Sequence, residues 1–421
     1  MLRHGETATL LERQARDGLV VPDYEGYCFA NVPGTAGDVL GVDVGRALPA
    51  DALSGIETAV SHVVVAVLDS LGWHRWRRDA DDHRFLSRLD ERGAVAPLTS
   101  VASASTAPAI TSVHTGATPA EHGILGCDAA LPGAETIVRP FQHDVRPDVA
   151  GASTEPPVEA GECIRVEPVY PRLEREGVET RVVQPAETLD TEYAEATLRG
   201  ATQVAYDDPA DGARTLRRAL ADARGPSYTY WYTPVLDELT HEYGPDSGAY
   251  HDALGRVTRY LSRALYDGVD AETAAETLLI VTADHGAIPL DSGPAGSLRV
   301  LDVEGIGQRL QRRGGDAVPP FGDPRACHLA VERGETGAVV DAVESAGATA
   351  VTRERARELE LFGPADAPGW ERCGDVIVTD DDRALVYPSM EKVADFAGIH
   401  GGFTPREMGV PFAAARLSEL Q

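Results

Sequence analysis

A chain of 421 residues with 43% hydrophobic content holds enough apolar side chains for a large buried core, and its length allows two or three domains. Its formal net charge is −29, from 67 acidic against 38 basic residues of which only Lys392 is a lysine; this argues against a nucleic-acid partner, because such surfaces need phosphate-neutralising cations. The same acidic, lysine-poor balance is the usual solution for solubility at high salt, where screening removes self-repulsion, so a halophilic source is expected.

Five cysteines, Cys28, Cys127, Cys163, Cys327 and Cys373, contain no C-x-x-C pair and are expected as reduced thiols. The N-terminus lacks a signal-peptide apolar core, and no run approaches the roughly 18 apolar residues of a membrane span. The expectation is a soluble, cytoplasmic protein with no membrane association.

Residues 1–60 read as a lead-in without chemistry: an amphipathic helix, a loop through Asn31-Val32-Pro33-Gly34, and a second short helix from near Asp38. Ser61–Leu68, SHVVVAVL, is an apolar run of strand length that stops at Asp69. Gly72–Arg92 is expected as a surface helix rich in Arg and Asp, with Trp73 packed into the core. Leu98–Gly126, LTSVASASTAPAITSVHTGATPAEHGILG, crowds small hydroxyl residues around one proline, which is how a strand-to-helix turn presenting a hydroxyl reads. Thr106 is its candidate nucleophile. A threonine hydroxyl is a poor nucleophile until a base or a metal ion activates it.

Residues 127–164 read as a long loop rich in Pro, Gly and acid, beside that turn. Thr180–Gln184 and Ser227–Thr233 are further strands, with a helix over Asp208–Arg224 between them. Asp237 and His241 then fall on one face of a helical turn. A helix over His251–Tyr266 leads to the strand Leu278–Ala283, which ends at Asp284-His285-Gly286. Beyond it, short strands beginning with Leu298–Val303 and two helices suggest a small α+β cap over 291–396, inserted before Gly398-Ile399-His400-Gly401-Gly402. The metal-binding unit would then be 61–290 with 397–421. The alternation predicts an α/β fold with a doubly wound, mostly parallel sheet and helices on both faces.

In such a sheet, groups placed just after the strands converge on one crevice. Asp69, Asp237, His241, Asp284, His285 and His400, together with Thr106, offer oxygen and nitrogen donors suited to two divalent cations, zinc or manganese. His114 and His122 are not needed to fill two sites and are expected as supporting groups.

The Asp after the first strand, the Ser-Thr-Ala-Pro turn continuing as Thr-Gly-x-x-Pro-x-x-His-Gly, Asp-x-x-x-His, Asp-His-Gly and the late His-Gly-Gly occur in one order from about residue 60 to 412. In these motifs the sequence resembles the alkaline phosphatase superfamily and, within it, the type I phosphodiesterase/nucleotide pyrophosphatase family. The resemblance implies that Asp237, His241 and His400 hold one ion, that Asp69, Asp284 and His285 hold the other, and that Thr106 bridges toward both as nucleophile. It further implies a phosphodiesterase or nucleotide pyrophosphatase acting on a small phosphodiester or nucleotide. The alternatives are a phosphomonoesterase or phosphonate hydrolase of the same superfamily, or a metal-bound scaffold without turnover. One departure is Ala109, where eukaryotic members carry Asn. From Gly93 to Val138 there is no Lys or Arg to clamp the second charge of a monoester, which favours a diester; Arg139 is the nearest guanidinium in the chain that follows. The oligomeric state is left open by the sequence.

Overall fold

The computed structural model describes residues 7–131, 137–146 and 156–421. The strands of its two larger sheets are, in chain order, β1 (His62–Leu68), β2 (Ala94–Thr99), β3 (Glu179–Pro185), β4 (Thr202–Tyr206), β5 (Ser227–Thr233), β6 (Thr277–Thr282), β7 (Phe321–Asp323), β8 (Ala326–Leu329), β9 (Thr349–Thr352), β10 (Val376–Thr379) and β11 (Gly409–Arg416).

Seven of these form the main sheet in the order β2-β11-β6-β1-β5-β3-β4, and every pairing in it is parallel except those made by β11. Its centre is β1, in register from His62 opposite Ser227 and Thr277 onward. Val63 to Leu68 are fully buried without alternation, as required of a parallel strand covered on both faces. The covering helices form two groups that pack among themselves. Arg84–Arg92, Pro209–Ala221 and Gly248–Leu261 make one, and Val32–Val39, Thr106–Thr115 and Val169–Arg175 the other.

Local chemistry accounts for several boundaries. The Asp208 carboxylate accepts from the backbone N–H groups of Ala210 and Asp211 at 2.8 and 2.9 Å and starts its helix, with Pro209 in the first turn where a missing N–H is harmless. The helix expected from His251 starts earlier, at Gly248, because the Ser247 hydroxyl caps Tyr250 N at 3.2 Å.

The lead-in departs from expectation. Val32–Val39 is one helix, so the expected loop through Val32-Pro33-Gly34 and the later start at Asp38 are both corrected. Pro33 sits in the first turn, where it fits, and Gly34 is required there because a Cβ would lie 1.9 Å from Arg46 O. Cys28, Phe29, Val32 and Ala36 are buried in the main core, and Val20 N donates to Phe403 O, so this segment is built into the sheet's packing. The expected surface helix over Gly72–Arg92 is two helices, Trp73–Asp79 and Arg84–Arg92; Trp73 and Trp76 are core residues, and buried Arg75 pairs with Asp79 and Asp246.

Residues 127–164 are more ordered than a loop where they are described. Ala129–Ala130, Ile137–Arg139 and Asp144–Val145 form an antiparallel ribbon, and Ala160–Cys163 is a helical turn. Residues 132–136 and 147–155 of that stretch lie outside the described residues.

The second sheet is antiparallel, ordered β7-β8-β10-β9, and carries the helices Thr336–Ser345 and Arg353–Glu358. It has its own apolar core, including Leu329, Val339, Val343, Val376 and Val378. The strand expected over Leu298–Val303 is extended only at Ser297–Arg299, where it pairs in parallel with Ala384–Val386. All five cysteines are free thiols, and among the described residues no helix is long and apolar enough to cross a membrane.

Candidate active site

The central strands β1, β5 and β6 are adjacent and parallel, so the segments leaving their carboxyl ends meet. Asp69 follows β1, Asp284 and His285 follow β6, and Asp237 and His241 lie on the helix Val235–Tyr243 that follows β5. His400 arrives from the loop that precedes β11.

His285 sits at the centre. Its Nε2 lies 3.0 Å from Thr106 Oγ1, 3.3 Å from Asp69 Oδ1 and 3.5 Å from Asp284 Oδ2. Its ring stacks on that of His400 at 3.7 Å and 11°. Asp237 lies between the remaining imidazoles, with Oδ2 3.3 Å from His241 Nε2 and Oδ1 3.5 Å from His400 Nε2. The structure thus brings together all seven residues singled out from the sequence.

Two features of this cluster suit it to cations. Each imidazole turns Nδ1 to a backbone carbonyl: His241 to Gly398 O at 3.0 Å, His285 to Gly286 O at 3.1 Å, His400 to Ala104 O at 3.3 Å. With Nδ1–H donating, every Nε2 lone pair faces the centre, the arrangement of a metal ligand oriented by its backbone partner. The carboxylates show the complementary pattern. Tyr232 O–H donates to Asp69 Oδ2, and the N–H groups of Ser70 and His285 donate to Asp284 Oδ1 at 3.2 and 3.0 Å. Asp69 Oδ1, Asp284 Oδ2 and Asp237 Oδ1 are buried without any hydrogen-bond partner. A buried orphan carboxylate oxygen is costly, and three of them set within 3.5 Å of the Nε2 atoms of His285 and His400 fit divalent cations. The ligand atoms within 4.8 Å of one another are those of Asp69, Asp284 and His285, and those of Asp237, His285 and His400. His285 is therefore within reach of both groups.

The protonation balance differs across the cluster. Burial, reinforced by Asp284 and Asp237, pushes Asp69 well above the usual carboxylate range, and burial raises Asp284 to about 6. Burial also lowers His285 and His400 to about 4. Burial acts upward on Asp237 too, but His400 and His241 outweigh it and hold that carboxyl below its ordinary value.

Thr106 opens the helix Thr106–Thr115, whose unpaired backbone N–H groups and dipole favour an anion at this end. Ala109, three residues on, is wholly buried in the core and offers no polar group. His114 and His122 are buried as well, both lowered to about 3 by burial. His114 Nδ1 meets Tyr170 O–H at 2.6 Å; His122 accepts from Ile124 N at 3.1 Å and donates to Ser112 Oγ at 3.0 Å. Both are thus engaged by neighbours that pack around the helix Thr106–Thr115.

Sequence reasoning passed over the groups that fix this geometry from a distance. Asp323, at the end of β7 and 1% exposed, receives hydrogen bonds from Ser103 Oγ, from Ser105 Oγ at 3.0 Å and from Cys127 N at 3.1 Å. Arg325 and Glu407 form a fully buried two-pronged pair, both contacts 3.0 Å, and Glu407 also accepts from Gly402 N at 2.8 Å and Thr404 Oγ1 at 2.7 Å. These partners are separated by 218 and 82 positions, so no local motif announces them.

Residues 63–403 match the family model described as type I phosphodiesterase/nucleotide pyrophosphatase. Among solved structures, phosphonoacetate hydrolase from Sinorhizobium meliloti in complex with phosphonoformate is similar with a TM-score of 0.61 at 20% identity, over 86% of this chain and 94% of that one. Murine ectonucleotide pyrophosphatase/phosphodiesterase 5 gives a TM-score of 0.59 at 16% identity, over 84% of this chain and 87% of that one. An inactive threonine-to-alanine variant of the murine protein, solved in complex with AMP, gives 0.58 at 16% identity, with the same shares of 84% and 87%. No curated protein matches the chain. At these identities the structural likeness carries the fold, of the alkaline phosphatase type, and the family match, which spans most of the chain and every motif of the acidic centre, carries the class. The chain belongs to the type I phosphodiesterase/nucleotide pyrophosphatase family of phosphoric ester hydrolases.

Proposed function

We propose that this protein is a two-metal phosphodiesterase or nucleotide pyrophosphatase in which Thr106 is the nucleophile, Asp69, Asp284 and His285 hold one ion, and Asp237, His241 and His400 hold the other. The observation that supports this most is the set of three partnerless buried carboxylate oxygens facing the Nε2 atoms of His285 and His400, with the Thr106 hydroxyl 3.0 Å from the central imidazole. Mixed carboxylate and imidazole donors suit zinc or manganese. When bound, the two ions lower the pKa of the threonine hydroxyl and neutralise charge on the phosphoryl group.

The chain's own residues supply position and surroundings. Thr106 Oγ gives up its proton to solvent and attacks phosphorus, the bond from phosphorus to one alcohol breaks, and that alcohol leaves with a proton from solvent. The Thr106 phosphoryl ester is then hydrolysed: a water oxygen bonds to phosphorus, the bond to Thr106 Oγ breaks, and the hydroxyl is restored. The helix N-terminus at Thr106 favours the anionic group in both steps.

A diester fits better than a monoester. Arg139, the nearest cation following the turn, is engaged with Asp144 through Nε at 2.7 Å, and Arg146 is buried against Asp128 at 2.9 Å and Pro320 O at 2.7 Å. Beside Tyr232, whose hydroxyl holds Asp69, lies a cavity of about 260 Å³ walled by Ile110, Phe141, Tyr193 and Leu198, which suits the second ester group of a small diester or nucleotide. The same reading takes 61–290 with 397–421 as the metal-binding unit, 291–396 as a cap over it, and the acidic surface as adaptation to a salt-rich cytoplasm. The test is kcat/KM for bis-p-nitrophenyl phosphate against p-nitrophenyl phosphate, with and without chelator, phosphonoacetate being assayed alongside. Chelator-sensitive preference for the diester is expected. Preference for the monoester or the phosphonate would overturn the diesterase reading, and indifference to the chelator would overturn the two-metal one.

A further inference from the structure

The serine that precedes a helix ordinarily turns its hydroxyl back onto the backbone N–H groups of the first turn. Ser105 holds that place before Thr106, with extended φ −137° and ψ 150°, and makes no such cap. Its hydroxyl goes instead to Asp323 Oδ1, 3.0 Å away on a different sheet. The same oxygen takes Cys127 N at 3.1 Å, and the other carboxylate oxygen takes Ser103 Oγ. Three donors flanking the nucleophile thus converge on one carboxylate. The fit is close, since a Cβ at Gly126 would lie 2.7 Å from Asp323 Oδ2.

The second jaw of this grip lies two residues on. Arg325 is fully buried and pairs with Glu407, which in turn holds Gly402 N and Thr404 Oγ1 in the loop that follows His400. Gly401 crosses between them at φ +110°, where a Cβ would meet Asp323 Cβ at 3.4 Å and Arg325 Cβ at 3.6 Å. One hairpin, Asp323-Pro324-Arg325, therefore touches both the turn that bears Thr106 and the loop that bears His400.

We propose that Asp323 is a positioning residue for the reaction: through Ser103, Ser105 and Cys127 N it sets where the Thr106 hydroxyl stands relative to the acidic centre, so that the second sheet is part of the nucleophile's mount. The inference rests on the Thr106 reading. Asp323 makes no hydrogen bond to a residue assigned to the ions, so its loss displaces the nucleophile and leaves the ligands in place. A misplacement of about 1 Å costs about 100-fold in rate when reacting atoms must be aligned.

The experiment compares Asp323→Ala, Asp323→Asn, Ser105→Ala and the double variant Ser105→Ala with Asp323→Ala, measuring kcat, KM, metal content and thermal midpoint on each. Asp323→Ala is expected to lose about 100-fold in kcat with KM within about 3-fold and metal content at the wild-type level. Asp323→Asn is expected to recover to within about 10-fold of wild type, because its amide oxygen still serves Ser105 and Cys127 N while Ser103 turns wholly to Leu125 O, already 3.3 Å away. The double variant is expected to be no slower than Asp323→Ala, since both changes break one connection. A folded, metal-loaded Asp323→Ala with kcat within about 3-fold of wild type overturns the proposal, as does a loss that tracks metal content. Should Asp323→Ala fail to fold, Ser105→Ala decides: a loss of about 10-fold in kcat at unchanged KM supports the mount, and a wild-type kcat overturns it. Turnover by Thr106→Ala separately reports failure of the nucleophile reading.

Discussion

The two halves of the acidic centre use the same residue types in different surroundings. Asp69, Asp284 and His285 are sealed at the ends of β1 and β6, with side chains 2%, 0% and 0% exposed. Asp237, His241 and His400 come from a helix and a loop and remain 15%, 24% and 11% exposed. In the sealed half, burial drives both carboxyls upward, so their charged forms need a cation beside them. In the open half, two imidazoles already hold Asp237 in its charged form. The sealed half therefore ought to bind its ion more tightly and exchange it more slowly, leaving the open half as the side on which substrate and water come and go.

Thr106 stands where the halves meet, and its removal carries the largest expected effect. Thr106→Ala is expected to lower turnover by about 1,000-fold or more while leaving metal content nearly intact, and Thr106→Ser to keep measurable activity. Steady-state rates with elemental analysis of the same preparations decide it; Thr106→Ala retaining more than about 5% of the wild-type rate would sink the assignment.

Substitutions within each half sharpen the contrast. His285 is within reach of both ligand groups, so His285→Ala is expected to deplete both ions. His241 lies outside both groups of mutually close ligand atoms and meets only Asp237 and the His400 ring among the proposed ligands, so His241→Ala is expected to weaken one ion by about 10–100-fold and spare the other. Metal content after dialysis reads this directly, and equal depletion by the two variants would erase the distinction.

The pH dependence follows from the raised carboxyls. At a pH of about 5.5 most of the ion-free protein holds a proton on Asp284, raised to about 6, and an entering ion must displace it; at about 7.5 that proton is already gone. Proton release per ion bound is thus expected to be greater at the lower pH, and affinity to fall as pH falls. Calorimetry in buffers of different ionisation enthalpy measures it, and equal release at both pH values would contradict the burial argument.

The smallest effect concerns the surface rather than the centre. With a net charge of −29, the thermal midpoint is expected to rise from dilute to molar salt as the Debye length shrinks from about 10 Å at 0.1 M to about 3 Å at 1 M. A flat or falling midpoint would count against adaptation to salt.

Much of the centre was legible because burial on both faces leaves parallel strands as plain apolar runs, each ending where a charged group is tolerated. SHVVVAVL before Asp69 and LLIVTA before Asp284 are read that way, and Asp237 with His241 by helical spacing. What escaped had other causes. β11 is Gly-Val-Pro-Phe followed by three alanines, with few β-branched residues to mark it, and β4 is a largely exposed edge strand. The burial of Cys28 and Phe29 depends on strands that come later in the chain, and the Val32–Val39 helix was hidden by a proline and glycine that read as a loop but suit its first turn. Asp323, Arg325 and Glu407 act through pairings made only by the tertiary fold, for which the sequence holds no periodic signal.

The central claim, a covalent step at Thr106, is tested most directly by the stereochemistry at phosphorus. A diester made chiral by sulfur substitution is hydrolysed in isotopically labelled water, and the configuration of the thiophosphate product is determined. Attack by Thr106 and then by water inverts phosphorus twice, so net retention is the result expected. Net inversion would mean that water attacks the substrate directly, and would contradict the role assigned to Thr106.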